Sequence, residues 1–161
     1  MVVVEHCLWR RALRFAVEDD RAAWRVPRIL RPGSLTLTQL RTVVPDLQAG
    51  PANGAPRVPG SDAKHYAPRT SLSIVASRTL EDVVRQLTEN RERIAVLAPR
   101  PPRVANKYMT WINAGRRADV YGRELYVNLR TLDKSGAKEI LVEEVPTGEA
   151  WDAVRDRLHR A

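Results

Sequence analysis

The clearest pattern of apolar and polar positions lies in the second half of the chain. Short apolar runs, which are typical of strands buried on both faces, alternate there with segments whose apolar side chains recur every three or four positions. The runs predict four strands, and the segments predict three helices. The predicted strands cover residues 72–76, 94–97, 108–112 and 140–142.

Capping residues and turns support the three helices. Thr79 and Asp119 occupy the predicted N-caps of the first two helices, and Gly136 supplies the C-terminal stop of the second. The apolar stripe of the second helix runs from Tyr121 through Leu125 and Leu129 to Leu132, and Trp151 begins the stripe of the last helix. The order strand, helix, strand, strand, helix, strand, helix is typical of a parallel sheet with helices packed on its faces. We therefore predict an α/β domain over residues 71–161.

The chain before this domain has two predicted parts. Residues 1–33 show no periodicity that would build a core, so we expect an irregular segment that ends at a turn. Residues 34–70 begin with a short helix over 34–44, because Thr36 and Gln39 have the spacing of a capping box. The apolar stripe of this helix is Leu37, Leu40, Val43 and Val44. Five prolines and three glycines then fall within positions 45–68 and predict an extended linker, since no helix or central strand survives that density.

Composition and charge narrow the class of protein. The 161 residues carry a formal net charge of +8, but 23 of the 27 basic residues are arginine and the charge is spread along the chain. A dedicated nucleic-acid module concentrates its charge on one face or arm, so we do not expect one here. The single cysteine, Cys7, excludes a disulfide scaffold, and no apolar run is long enough to span a membrane. We expect a cytoplasmic protein with no membrane partner.

Sequence motifs for several common chemistries are missing. The chain has no G-x-x-x-x-G-K-[ST] or G-x-G-x-x-G phosphate loop and no H-E-x-x-H or C-x-x-C metal motif. Asp133, Glu143 and Glu144 are candidate acid–base carboxylates, and the last two follow a predicted strand, where ligands gather in open sheets. Solvated surface carboxylates are the alternative interpretation. We therefore predict no catalytic residue and no metal site.

Two places near the linker are candidates for binding. Arg31 precedes Pro32 and Gly33, and a guanidinium on a rigid turn suits bidentate contact with phosphate, whereas a solvated arginine is the alternative. His65 and Tyr66 offer a base, an aromatic ring and a hydroxyl in a loop that has no evident core to fill. The alternative here is a loop that packs against the sheet with its tyrosine half-buried.

Several of these motifs together resemble one enzyme family. The Arg-Pro-Gly turn at 31–33 and His-Tyr-Ala-Pro at 65–68 are similar to the hinge and linker of two-domain threonylcarbamoyl-AMP synthases. The resemblance runs in order from Arg28 to the end of the chain. The further matching stretches are residues 55–60, 121–133, 140–143 and 151–158.

The resemblance implies a fold, a reaction and binding residues. The C-terminal part would be a Rossmann-like α/β domain with a mainly parallel sheet, preceded by an extended linker that crosses the catalytic mouth. The family condenses threonine, bicarbonate and ATP, with Mg, into threonylcarbamoyl-adenylate, which supplies the threonylcarbamoyladenosine of tRNA. By resemblance, Arg31 and Tyr66 would contact ATP, with His65 beside them. The family's K-x-R and S-x-N motifs, which belong to its N-terminal catalytic domain, have no match here.

These features favour an accessory role over independent catalysis. We expect the chain to gate the ATP site of a separate catalytic domain, to make no adenylate by itself and to bind no cofactor tightly alone. Whether it counts as an enzyme stays open on the sequence. The alternative is a non-catalytic truncated remnant or a binding module, with weak tRNA contact through its arginines.

Overall fold

The computed structural model describes residues 2–8, 11–17, 27–50 and 67–161. Within these ranges the chain forms two four-stranded sheets, four α-helices and the short 3₁₀-helix Glu149–Trp151. The strands are β1 (Val2–Leu8), β2 (Arg11–Val17), β3 (Arg28–Ile29), β4 (Gln48–Ala49), β5 (Ser71–Val75), β6 (Ile94–Ala98), β7 (Met109–Asn113) and β8 (Glu139–Glu143). The helices are α1 (Leu37–Arg41), α2 (Leu80–Glu89), α3 (Ala118–Asp133) and α4 (Asp152–Leu158).

The first sheet joins the N-terminal strands to the start of the linker, in the order β1-β2-β3-β4. β1 and β2 are antiparallel, with Val2 opposite Val17, and β3 pairs with β4 in parallel. This pairing corrects the expectation of an irregular segment over residues 1–33. The β-branched valines that begin β1 favour extended backbone, and this preference outweighs the lack of a clear apolar period.

The helix predicted after the first sheet is shorter than expected. Its capping box is confirmed: Thr36 Oγ1 accepts from the Gln39 amide at 3.1 Å, and Gln39 Oε1 accepts from the Thr36 amide at 2.9 Å. The sequence pattern predicted a helix over 34–44, whereas α1 ends at Arg41. Val43, which the pattern assigned to the apolar stripe, is 81% exposed, so the last turn has no core to cover.

The second sheet confirms the predicted α/β architecture. Its strands are all parallel and lie in the order β5-β8-β6-β7, so β8 and β6 are central. Every residue of β6 is buried, and so are four of the five residues of β8. Continuous burial of this kind is expected of strands that have helices on both faces.

Alternate side chains of the central strands supply two apolar clusters, one on each face of the second sheet. On one face, Val96 and Leu141 pack with Leu80 and Val84 of α2. On the other face, the alternate side chains of the same strands pack with α3 and α4. The buried residues of this larger cluster include Ala95, Leu97, Leu125, Leu129, Ile140, Val142, Val154 and Leu158.

Two glycines explain how α3 ends and how α4 approaches it. Gly136 has φ of 73°, a conformation that glycine adopts without strain, and it follows the end of α3 as predicted. A Cβ on Gly122 would lie 3.3 Å from Val154 Cγ2, so this glycine allows the two helices to pack closely.

The predicted N-caps are only partly right. Thr79 does precede α2, but its hydroxyl donates to the Ala76 carbonyl and makes no capping hydrogen bond. Arg117, and not Asp119, occupies the cap of α3; Asp119 lies in the first turn, where it pairs with Arg117. A carboxylate in the first turn still opposes the positive end of the helix dipole. In the described ranges, no helix combines the length and the apolar character needed to cross a bilayer.

Candidate functional site

The predicted site residue that the structure places is Arg31. It lies two residues after the end of β3, and its Nε donates to Asp156 Oδ2 of α4 at 3.1 Å. Both side chains are largely shielded, with 21% of Arg31 and 16% of Asp156 exposed. The Arg-Pro-Gly turn is therefore attached to the last helix of the α/β domain, 125 residues further along the chain.

Asp156 is shared between two arginines. Arg160 Nη2 lies 2.9 Å from Asp156 Oδ1, and Arg160 Nε donates to the same oxygen at 3.1 Å. Arg31 uses the other carboxylate oxygen. Because each oxygen has its own guanidinium, Asp156 would keep a charged partner if Arg31 left it.

A third arginine, Arg157, lies close enough to this ion pair to feel its charges. Burial lowers the pKa of Arg157, and the positive charge of Arg31 lowers it further, while Tyr126 and Asp156 act in the opposite direction. Two guanidiniums that repel each other at a partly desolvated place favour an added negative charge there. The local electrostatics thus suit an anionic group near Arg31.

The helix after the turn is attached to the same end of the domain. The Thr38 amide in α1 donates to Glu149 Oε1 at 2.9 Å, and Glu149 begins the 3₁₀-helix that leads into α4. Hydrogen bonding from Thr38, through its side chain first and its backbone amide second, holds the pKa of Glu149 below its ordinary value. The orphan amides at a helix N-terminus are natural partners for a carboxylate, so the contact satisfies both groups.

The far end of the linker is also held, by one of the predicted carboxylates. Asp133 at the end of α3 accepts from the Thr70 amide at 2.8 Å, and this contact lowers the pKa of the carboxyl. Asp133 therefore holds the chain where it enters β5, which is a different role from the acid–base chemistry weighed for it. Pro68 packs nearby, beside a small cavity of about 140 Å³ over α3.

The other predicted binding residues, His65 and Tyr66, lie outside the described residues. Their contact with ATP stays a prediction. The structure does show that the chain is fixed on both sides of them, at Thr38 before the gap and at Thr70 after it.

The other two predicted carboxylates lie at the carboxyl edge of the second sheet, and one of them is buried. The Glu143 side chain is only 4% exposed and lies 3.0 Å from Arg100 Nε. Arg100 also reaches Glu81 Oε1 at 2.7 Å, and its guanidinium stands 5.6 Å from the centre of the Trp111 ring. Burial alone would lower the pKa of Arg100, but Glu81 and Glu143 together raise it, so ion pairing outweighs desolvation at this place.

An open cavity of about 420 Å³ lies over this ion-pair network. It stands outside the carboxyl ends of the parallel strands, which is where open α/β sheets bind ligands. Glu144, an exposed residue, lines it, together with Arg116 from the loop between β7 and α3. The two glutamates were predicted from the sequence, whereas Arg100 and Arg116 were not. The signal that could have identified them is their place in the loops that follow β6 and β7, two and three residues after the strands end.

Metal binding finds no support among the described residues. No group of three His, Cys, Asp or Glu side chains lies close enough to hold an ion in ranges 2–8, 11–17, 27–50 and 67–161. The carboxylates that do cluster are already paired with Arg100. These residues do not fit the Mg that the resemblance implies.

Known proteins are similar to this chain in sequence and in fold. The family profile described as "Threonylcarbamoyl-AMP synthase, C-terminal domain" matches residues 35–161. Threonylcarbamoyl-AMP synthase of Pyrococcus abyssi (strain GE5 / Orsay) is 26% identical over 162 residues, covering 92% of this chain and 46% of that protein. The protein of the same name from Bacillus subtilis (strain 168) is 26% identical over 144 residues, covering 84% and 42%.

A solved structure agrees with these sequence matches. The crystal structure of P. abyssi Sua5 complexed with L-threonine superposes with a TM-score of 0.66 at 26% identity, covering 86% of this chain and 42% of that one. The chain thus spans less than half the length of the relatives it matches. The resemblance inferred from the hinge, linker and helix motifs is confirmed, and the chain belongs to the threonylcarbamoyl-AMP synthase family, in which it corresponds to the C-terminal domain.

Proposed function

We propose that this chain is an accessory domain that gates the ATP site of a threonylcarbamoyl-AMP synthase catalytic domain supplied separately. The observation that supports the proposal best is the ion pair between Arg31 and Asp156. It fixes the start of the linker on the α/β domain and holds a cation at the position where the family resemblance implies contact with ATP.

Attachment at both ends gives the linker the geometry of a strap. Arg31 and Thr38 hold it on the α4 side, and the Thr70–Asp133 hydrogen bond holds it on α3. The segment between these anchors carries His65 and Tyr66. Anchors at both ends limit the paths open to the segment between them, and we expect this to lower the entropic cost of placing its side chains over a nucleotide.

The anchor at Arg31 can exchange partners without a large penalty. A triphosphate carries more negative charge than a carboxylate that is already shared between two arginines, so the guanidinium would gain by moving to it. Asp156 would not be left as a bare charge, because Arg160 keeps both of its contacts with Oδ1. In this proposal Arg31 rests on Asp156 when the site is empty and contacts phosphate when ATP is bound.

The test is a reconstitution with a separately produced catalytic domain of the family. Pyrophosphate release that depends on threonine and bicarbonate is measured with and without the chain. We expect the chain to bind the catalytic domain and change the rate, and we expect Arg31→Gln and Tyr66→Ala each to remove most of that change. Arg85→Gln is the matched control, because Arg85 is a well-exposed arginine on α2, away from the linker.

Two results would overturn the proposal. One is a failure of the chain to bind the catalytic domain or to alter its rate. The other is full activity of the chain alone with threonine, bicarbonate and ATP, since the gating role assumes that the chemistry belongs to other residues. Weak contact with tRNA through the surface arginines stays a prediction, and binding that does not weaken as salt rises would contradict its electrostatic basis.

A further inference from the structure

The cavity at the carboxyl edge of the second sheet has no part in the gating role. It lies outside the ends of β5, β6 and β8, where Ser77 and Pro99 belong to its lining, whereas the linker is anchored on α3 and α4. Its volume of about 420 Å³ falls within the range of sites for small metabolites.

At this place in the sheet the chain leaves two neighbouring strands, β5 and β8, toward opposite faces. β5 leads into α2 on one face of the sheet, whereas β8 leads towards α4 on the other face. The loops that leave two neighbouring strands therefore diverge and open a crevice between them, which is the general location of ligand sites in open α/β sheets. The position of the crevice does not identify a ligand, so the class of ligand must be inferred from the side chains that line it.

The buried carboxylate of Glu143 supplies the first chemical requirement. Both of its short contacts come from a single donor, Arg100 Nε, and Glu143 Oε2 accepts no hydrogen bond from the described residues. A carboxylate has about four acceptor positions, and a buried one that lacks donors is costly. A ligand that donates N–H or O–H groups into the crevice would satisfy it.

Arg116 supplies the second requirement. It is exposed, lines the same cavity and forms no ion pair with a carboxylate of the described residues, in contrast to its neighbour Arg117, which pairs with Asp119. An unpaired guanidinium presents a planar fork that matches a carboxylate. Glu144, which also lines the cavity, adds a second negative charge for a cationic group.

We propose that this crevice binds a small zwitterion of the amino-acid class, with its carboxylate on Arg116 and its ammonium group towards Glu143 and Glu144. Pro99, Val145 and Pro146 give the lining an apolar part against which a short side chain would pack. A nucleotide fits less well, because the turn after β5 has no glycine that would let its backbone approach a phosphate.

Thermal denaturation of the chain with each of the common L-amino acids tests the proposal. We expect at least one of them to raise Tm in a saturable, concentration-dependent way, since a ligand that binds only the folded state stabilises it. Its N-acetyl derivative and its decarboxylated amine are the matched probes. Each lacks one of the two charges, so each should bind about tenfold more weakly or worse.

Variants assign the effect to the crevice. Arg116→Gln should weaken the binding of the amino acid by about tenfold or more. Arg117→Gln, at the neighbouring exposed arginine, should leave that affinity unchanged. Glu143→Gln should reduce the preference for the free amine; if that variant does not fold, the N-acetyl comparison carries the same information.

Three outcomes would overturn the proposal: no amino acid raises Tm, inorganic phosphate raises Tm as much as any amino acid does, or Arg116→Gln and Arg117→Gln behave alike. These measurements need no catalytic domain. A failure here therefore leaves the gating role untouched, and a failure of gating leaves this site standing.

Discussion

The linker segment over residues 27–50 and the α/β domain over residues 67–161 are held in different ways. The domain rests on two apolar clusters that use both faces of its central strands. The linker segment has two buried leucines of its own, Leu40 and Leu47, and neither belongs to those clusters. Its described attachments to the domain are polar, through Arg31 and Thr38.

This difference predicts that the linker segment separates from the α/β domain more easily than the domain itself unfolds. Apolar burial contributes about 1.5–3 kcal/mol for each large side chain, and a packed cluster is lost or kept as a whole. A partly exposed ion pair contributes about 1 kcal/mol or less and can be replaced by a competing anion. We therefore expect the α/β domain to stay folded while a competing anion replaces the polar contacts that attach the linker to it.

The largest loss of stability is expected from a cavity in the apolar core of the α/β domain. Leu97 in β6 is fully buried between the sheet and α3, so Leu97→Ala should lower the free energy of unfolding by about 3 kcal/mol. Denaturant titration of the purified chain measures it. Val127→Ala on the exposed side of α3 is the control and should change stability by less than about 0.5 kcal/mol. Equal effects of the two variants would contradict the assigned core.

A smaller loss is expected when the buried carboxylate at the sheet edge loses its partner. Arg100→Ala removes the guanidinium contacts of Glu143, whose side chain is 4% exposed, and should cost about 2 kcal/mol. The control is Arg85→Ala, which removes an exposed pair with Asp82 within α2 and should cost less than about 0.5 kcal/mol. The same denaturant titration compares them, and a loss no larger than that of the control would show that Glu143 is not desolvated.

The third prediction separates the linker from the domain without unfolding the domain. Arg31→Ala should lower global stability by about 1 kcal/mol or less, because the ion pair is partly exposed. Amide exchange should instead rise in the segment 28–50 and stay unchanged in β6 and β8. Asp156→Asn should act in the same way. The double variant should lose less stability than the sum of the two single losses, because both substitutions remove the same ion pair. Faster exchange in the central strands would mean that linker and domain unfold as one unit.

The two regions also differ in how far their structure follows from the sequence. The α/β domain was predictable because each of its elements has its own period: the apolar run at 94–97 became β6, and the stripe from Tyr121 to Leu132 became the buried face of α3. These signals lie within a few residues of one another. The capping box of Thr36 and Gln39 was predictable for the same reason.

The candidate site was less predictable because its contacts join distant parts of the chain. Arg31 was identified from its turn, but its partner Asp156 lies 125 residues away and carries no local signal. Asp133 was weighed as an acid or base, since the sequence does not show that the Thr70 amide would reach it. Likewise, burial of Glu143 depends on Arg100 arriving from the next strand of the sheet.

The smallest expected effect concerns the far end of the linker and depends on pH. The Thr70 hydrogen bond lowers the pKa of Asp133 in the folded chain, so the contact contributes fully above the ordinary pKa of an aspartate and is lost as the pH falls through the lowered value. We expect the protection factor of the Thr70 amide, which divides out the intrinsic exchange rate, to decrease as the pH is lowered below about 4. The Leu141 amide in the buried strand β8 serves as an internal reference that should not change. Asp133→Asn should abolish the pH dependence at Thr70; if that variant keeps it, another group holds the end of the linker.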